Sequence, residues 1–118
     1  MKIVQVINTM ISNEKLISNV IKIDREYFFL YNQKYKWSIV KVDSTNTEDY
    51  FIHFYPNDDM NIQQLAAFNE WDRYSYITYK TSDLKTTEAI ESFRELYHIV
   101  SNKVFGIDEI FDDIIKGS

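Results

Sequence analysis

Few residues in this chain could do chemistry, and their spacing narrows the choice further. There are two histidines, His53 and His98, and no cysteine. A tetrahedral zinc site would have to combine imidazole with carboxylates from distant positions. His98 has Glu95 one helical turn before it and Asn102 one turn after, which makes neighbours but no chelating pair. His53, between Ile52 and Phe54, reads as a core-edge histidine with one hydrogen-bond partner. No metal is expected. Nor is a nucleotide cofactor, because a phosphate cradle needs closely spaced glycines for backbone approach and the chain has only two. The same scarcity excludes a Gly-x-Ser-x-Gly nucleophile elbow, and the missing thiol excludes a cysteine nucleophile or a disulfide scaffold.

Carboxylates do come in pairs: Asp58-Asp59, Glu70 with Asp72, and the set Asp108, Glu109, Asp112 and Asp113. A catalytic pair needs one carboxyl buried enough to raise its pKa. Adjacent acids in a turn, or acids on the polar side of an amphipathic helix, describe a solvated face instead. The sequence therefore predicts no enzyme.

Charge is distributed unevenly. The net −5 joins a basic first part, residues 1–42 with seven basic and three acidic side chains, to residues 43–118 with six basic and fifteen acidic. Lys34, Lys36 and Lys41, interleaved with Tyr35 and Trp37, have the residue types of a strand that stacks bases and holds phosphates. The remaining acidic chain would repel a polyanion, so the lysines read better as an exposed strand face that resists edge pairing. No nucleic acid is expected as partner.

These groups must be held by elements, and the elements are readable. Ile3, Val4, Ile7, Met10 and Ile11 recur at helical spacing, predicting a helix over about 2–13, with a strand at 2–7 as its competitor. Ile17–Ile23, Glu26–Tyr31, Tyr35–Val42 and Tyr50–Tyr55 are rich in β-branched and aromatic residues and separated by polar breaks, the pattern of consecutive hairpins. Tyr27–Tyr31 is apolar on both faces and is expected inside the sheet, covered on both sides. Tyr35–Val42 reads as half-exposed. Pro56 ends the ladder. Asn61 and Gln64 resemble a capping box for a helix over about 61–72, with Ile62, Leu65, Phe68 and Trp71 as its buried stripe. A strand follows at 74–80. A helix carrying Ala89, Ile90, Phe93, Leu96, Tyr97, Val100 and Val104 on one face is ended by Gly106. A last short helix sets Ile107, Ile110, Phe111, Ile114 and Ile115 against Asp108, Glu109, Asp112 and Asp113.

The order is α-β-β-β-β-α-β-α-α. Runs of strands without regular βα alternation predict α+β, an antiparallel sheet of about four to five strands with helices packed on it. At 118 residues this is one globular domain over residues 1–118. The first residues lack the continuous apolar run of a leader, and nothing approaches the ~18 apolar residues of a membrane span. A cytoplasmic protein with no membrane partner is expected.

Nine tyrosines and eight phenylalanines are generous for so small a core. Tyrosine combines rigid contact area with a polar tip and is enriched at interfaces. The reading that follows is a non-enzymatic protein-binding domain, in kind a small acidic immunity or inhibitor protein that docks a basic partner. Asp108, Glu109, Asp112, Asp113, Tyr74 and Tyr76 are its partner-binding candidates. Two alternatives stay open. One is a small-ligand or enzymatic domain with a pocket between sheet and helices using Trp37, His53, Tyr55 or Trp71. The other is a homo-oligomer that self-associates through a sheet edge or the last helix.

Overall fold

Two hydrophobic periods run through the chain, and each finds its element. The computed structural model describes residues 1–43, 47–56, 60–68, 76–105 and 107–117, with backbone alone at 105 and 107–109. Helix α1 (Lys2–Ser12) is followed by a 3-10 turn (Glu14–Leu16). Four strands come next: β1 (Ile17–Ile23), β2 (Glu26–Tyr31), β3 (Tyr35–Asp43) and β4 (Glu48–Tyr55). Then come α2 (Ile62–Ala67), β5 (Ile77–Lys80), α3 (Thr81–Leu84), α4 (Thr87–Phe105) and α5 (Ile107–Gly117). The fold is α+β. The five strands pair antiparallel in the order β1-β2-β3-β4-β5, so each neighbour in sequence is a neighbour in space. The helical reading of the N-terminus holds, and its strand competitor falls.

The tight connections follow from residues that tolerate a left-handed backbone. Asp24 in the β1–β2 turn has φ 55°, and Asn32 in the β2–β3 turn has φ 54°. Asn and Asp enter this region more readily than other non-glycine residues, because their short side chains can bond locally. Asn19 (φ 53°) lies where the β1–β2 register shifts between Ser18 and Ile21. Such a bulge bends an edge strand and discourages edge pairing.

The sheet has two covered faces. On one, Tyr27, Phe29, Trp37, Ile39, Tyr50 and Ile52 pack with the apolar stripes of α1 and α4. In α1 that stripe is Ile3, Val4, Ile7 and Met10; in α4 it is Ala89, Phe93, Leu96 and Val100. On the other, Phe28 and Tyr55 pack with Ile62, Leu65 and Ala66 of α2. The doubly apolar strand β2 is thus an inner strand with both faces covered. Side chains as large as Phe29, Ile39, Ile52 and Phe93 are fully removed from water, each worth about 1.5–3 kcal/mol relative to exposure.

Three expectations need correction. β3 is not half-exposed: it is the central strand, and Lys36 through Ile39 are all buried. Its polar residues are satisfied by partners distant in sequence. Lys36 Nζ donates to the Met60 carbonyl at 2.7 Å, and Ser38 enters the network described below. The strand therefore cannot present Lys36 and Trp37 to a nucleic acid. Helix α2 opens on Asn61 and Gln64 with both capping-box bonds made, at 2.8 and 2.9 Å. It stops at Ala67, because Phe68 is extended (φ −75°, ψ 136°). Phe68 is accordingly off the helical stripe, and Trp71, Glu70 and Asp72 lie outside the described residues. Strand β5 begins at Ile77 rather than 74. Asp58, Asp59 and Gly106 are also outside the described residues.

The hairpin β3–β4 is tied to α4 by ions. Glu48 accepts from Lys41 Nζ at 3.0 Å, and Arg94 reaches the same carboxylate through Nε and Nη2, both at 3.0 Å. Chiefly through Lys41, with Arg94 adding to it, the Glu48 carboxyl is held down at about 2, against 4.5 for an unperturbed group. A carboxyl whose pKa is depressed by folding adds stability above its unfolded pKa, and that stability is lost as pH falls toward the folded value. Glu48→Gln should therefore lower the urea midpoint at pH 7, with the gap narrowing as pH falls from about 4.5 toward 2. A gap independent of pH would contradict this role.

Candidate functional site

Among the described residues, a polar recess on the α2 face of the sheet and the surface of α5 both stand outside the packed core. The recess is built by strand parity. Residues of one parity in β2, β3, β4 and β5 share a face, and the register sets Phe28 opposite Ser38, Ser38 opposite His53, and His53 opposite Thr78. Glu26 lies diagonally beside Ser38 on that face, since its own partner is Val40. Helix α2 covers only the part of the face around Phe28 and Tyr55. Beyond it a recess of about 100 Å³ is lined by Glu26, His53, Tyr55 and Tyr76.

Its hydrogen bonds have a forced direction. The buried Ser38 hydroxyl is 2.5 Å from Glu26 Oε2 and 2.8 Å from the Tyr55 hydroxyl. A carboxylate only accepts, so Ser38 donates to Glu26 and its oxygen accepts a hydrogen bond donated by the Tyr55 hydroxyl. Tyr55 is pushed well above the ordinary phenol pKa, first by burial, and stays protonated. His53 Nδ1 shares a hydrogen bond of 2.8 Å with Thr78 Oγ1, while its Nε2 stands 3.9 Å from Glu26 Oε2. Burial lowers the His53 pKa below 6.5; the Glu26 charge opposes that shift, and Lys80 adds to it. The ring of Tyr76 meets His53 edge-on at 5.4 Å and Tyr55 at 5.8 Å.

Ser38 is fully buried, and its hydroxyl is bonded to the Glu26 carboxylate rather than to His53. A second recess of about 370 Å³ lies between α1 and the sheet, walled by Val6, Met10, Tyr31, Tyr35, Trp37 and Phe54. Its surface is mostly apolar, with Lys2, Gln5 and Thr9 of α1 at its border. Trp37 therefore lines a greasy groove, while His53 and Tyr55 belong to the polar recess.

Helix α5 carries the other expected residues. Ile110, Phe111, Ile114 and Ile115 share one arc of the helix, and they are 52, 57, 64 and 70 % exposed. Asp112 and Asp113 are exposed on the same helix. Asp108 and Glu109 lie on its backbone, with side chains outside the described residues. The principal contact of α5 is with α4, to which it is joined. Of the two tyrosines, Tyr76 is at the polar recess and Tyr74 lies outside the described residues. Tyr76 and the helix acids belong to different features: the aromatic residue faces a recess on the sheet, the acids flank an apolar helix.

The residues that reasoning from sequence missed are Glu26, Ser38 and Thr78. No motif joins them; only the even spacing of Ser38, His53, Tyr55 and Thr78 within their strands hints at a shared face. A titration by NMR should place the His53 midpoint below 6.5, and Glu26→Gln should lower it further by removing the charge that favours the imidazolium. An upward shift on Glu26→Gln would show that the two groups are not coupled as described.

Comparison with protein-family models, with curated proteins and with solved structures finds no match for this chain.

Proposed function

We propose that the chain is a non-enzymatic protein-binding domain whose docking element is α5. The observation that carries this reading is the exposure of Ile110, Phe111, Ile114 and Ile115 along one helix face. Exposed apolar residues scattered singly need no explanation, but a contiguous row rimmed by polar residues marks an interaction site. An amphipathic helix of this kind lies in a partner's apolar groove through residues at i, i+3, i+4 spacing.

The flanks narrow the partner. Four acids and one lysine in α5 give the helix an acidic border. Anionic lipid surfaces favour amphipathic helices with basic polar faces, so this border favours a protein instead. Among the described residues no helix is long and apolar enough to cross a membrane. The fitting partner offers an apolar groove edged by lysine or arginine. Attraction between the two borders would steer encounter and set the on-rate, while the buried apolar row would set residence time. A small acidic inhibitor of a basic protein is the form this takes by analogy with class alone.

The test separates the two contributions. A tagged full-length chain should retain a basic partner from its native lysate at low salt. With that partner purified, reversing Asp108, Glu109, Asp112 and Asp113 to lysine should slow association about tenfold or more and abolish its salt dependence. Ile110→Ser with Ile114→Ser should instead speed dissociation. Unchanged rates in both variants would remove α5 from the site.

A further inference from the structure

An apolar groove edged by basic side chains, the feature that suits α5, is present on this same fold. Val6 of α1 and Tyr35, Trp37 and Phe54 of the sheet wall the recess of about 370 Å³ beside α1. A second recess of about 370 Å³ continues from it, sharing Lys2, Val6, Trp37 and Phe54 and reaching Tyr79 and Leu84. The Trp37 and Phe54 rings, 4.7 Å apart between centres, line both. Lys2 also lines both, and Lys34 Nζ lies 4.8 Å from the centre of the Tyr35 ring at the border. Among the described residues no carboxylate lines either recess.

Charge and position make groove and helix complementary between two copies. At about 100° per residue, Asp112 and Asp113 fall on opposite flanks of the arc formed by Ile110, Phe111 and Ile114. An apolar row with an acid on either flank thus meets an apolar groove with lysines at its border. The groove walls come mostly from residues 1–42, with seven basic and three acidic side chains, and α5 from residues 43–118, with six basic and fifteen acidic. Each copy is net −5, but repulsion spread over the surface is screened beyond about 10 Å at 0.1 M salt, whereas the contact itself is short-range. The chain's own α5 is badly placed for its own groove. Ser92 of α4 donates to Asn8 of α1 at 2.8 Å, and Asn8 points to the opposite side of α1 from Val6, two residues before it. Helix α1 therefore stands between the groove and α4, to which α5 is joined.

We propose that the groove between α1 and the sheet receives α5 of a second copy of this chain, its apolar row against the aromatic wall and its acids toward Lys2 and Lys34. The inference rests on α5 being a docking element and names its partner. Exchange of α5 in both directions closes a dimer, and exchange in one direction extends a chain of copies. One 11-residue helix in a groove of this size belongs with the weak contacts below about 1,200 Å², so the chain is monomeric at low micromolar concentration.

Analytical ultracentrifugation of the full-length chain from about 10 µM to about 1 mM, in ~0.1 M salt, tests it. The mean mass should rise above the monomer's, with half-association near ~0.1 mM. Tyr35→Glu in the groove and Ile114→Glu on α5, both at exposed positions, should each weaken association about tenfold or more. Mixed together, those two variants should associate where neither does alone, since one keeps an intact α5 and the other an intact groove. Lys2→Glu with Lys34→Glu should weaken association severalfold, and adding Asp112→Lys and Asp113→Lys to that chain should recover it. A monomer at about 1 mM, association that survives both Tyr35→Glu and Ile114→Glu, or mixed variants that stay apart would overturn the inference. If the chain stays monomeric while Ile110→Ser with Ile114→Ser still speeds dissociation of a foreign partner, the docking role of α5 stands and only its pairing with this groove falls. If those substitutions change neither measurement, both fall.

Discussion

A five-stranded sheet has two faces to bury, and among the described residues the helices cover them unequally. That constraint organises everything else. The face toward α1 and α4 is closed by two amphipathic helices, and Ile39, Ile52, Phe29 and Phe93 meet there out of contact with water. Among the described residues the opposite face is covered by α2, six residues long, which packs on Phe28 and Tyr55 with Ile21, Leu30 and Met60 beside them. What lies beyond its reach must be polar and mutually satisfied, because an unpaired buried polar group costs about 1–3 kcal/mol. The Glu26–Ser38–Tyr55 hydrogen bonds and the His53–Thr78 pair are that solution.

The same shortage of cover frames the role of α5. Its apolar arc is as pronounced as those of α1 and α4, yet Ile110, Phe111, Ile114 and Ile115 are more than half exposed. Folding gains nothing from an arc left in solvent, whereas a partner groove gains about 25 cal/mol for each Å² it removes from water. In the proposed docking, affinity would come from the apolar row and discrimination from the acids beside it.

Much of the fold is legible in the sequence, and the illegible parts share a cause. Strands β1 and β2 are marked by aromatic and β-branched runs between polar breaks, and α4 by a stripe that local spacing alone defines. The start of α2 is written in Asn61 and Gln64, because a capping box is a contact across three residues. Its end is not, since Phe68 suits a helical stripe equally well yet is extended. Lys36 and Ser38 look like solvent-facing residues until Met60, Glu26 and Tyr55 are brought to them by strand pairing. Helix α3 carries no periodic signal in four residues. The acids of α5 and Tyr76 could be singled out by type, but the recess could not: Glu26 and His53 meet only because β3 stands between their strands.

The central claim is that the apolar face of α5 serves something other than this chain's own core. Equilibrium urea unfolding of a variant carrying Ile110→Asp and Ile114→Asp tests it most directly, because charge placed in a packed face cannot be silent. The account predicts global stability within ~0.5 kcal/mol of the wild type, as for exposed positions. A loss of about 2 kcal/mol or more would mean that these side chains are packed against the body of the protein, and would contradict it.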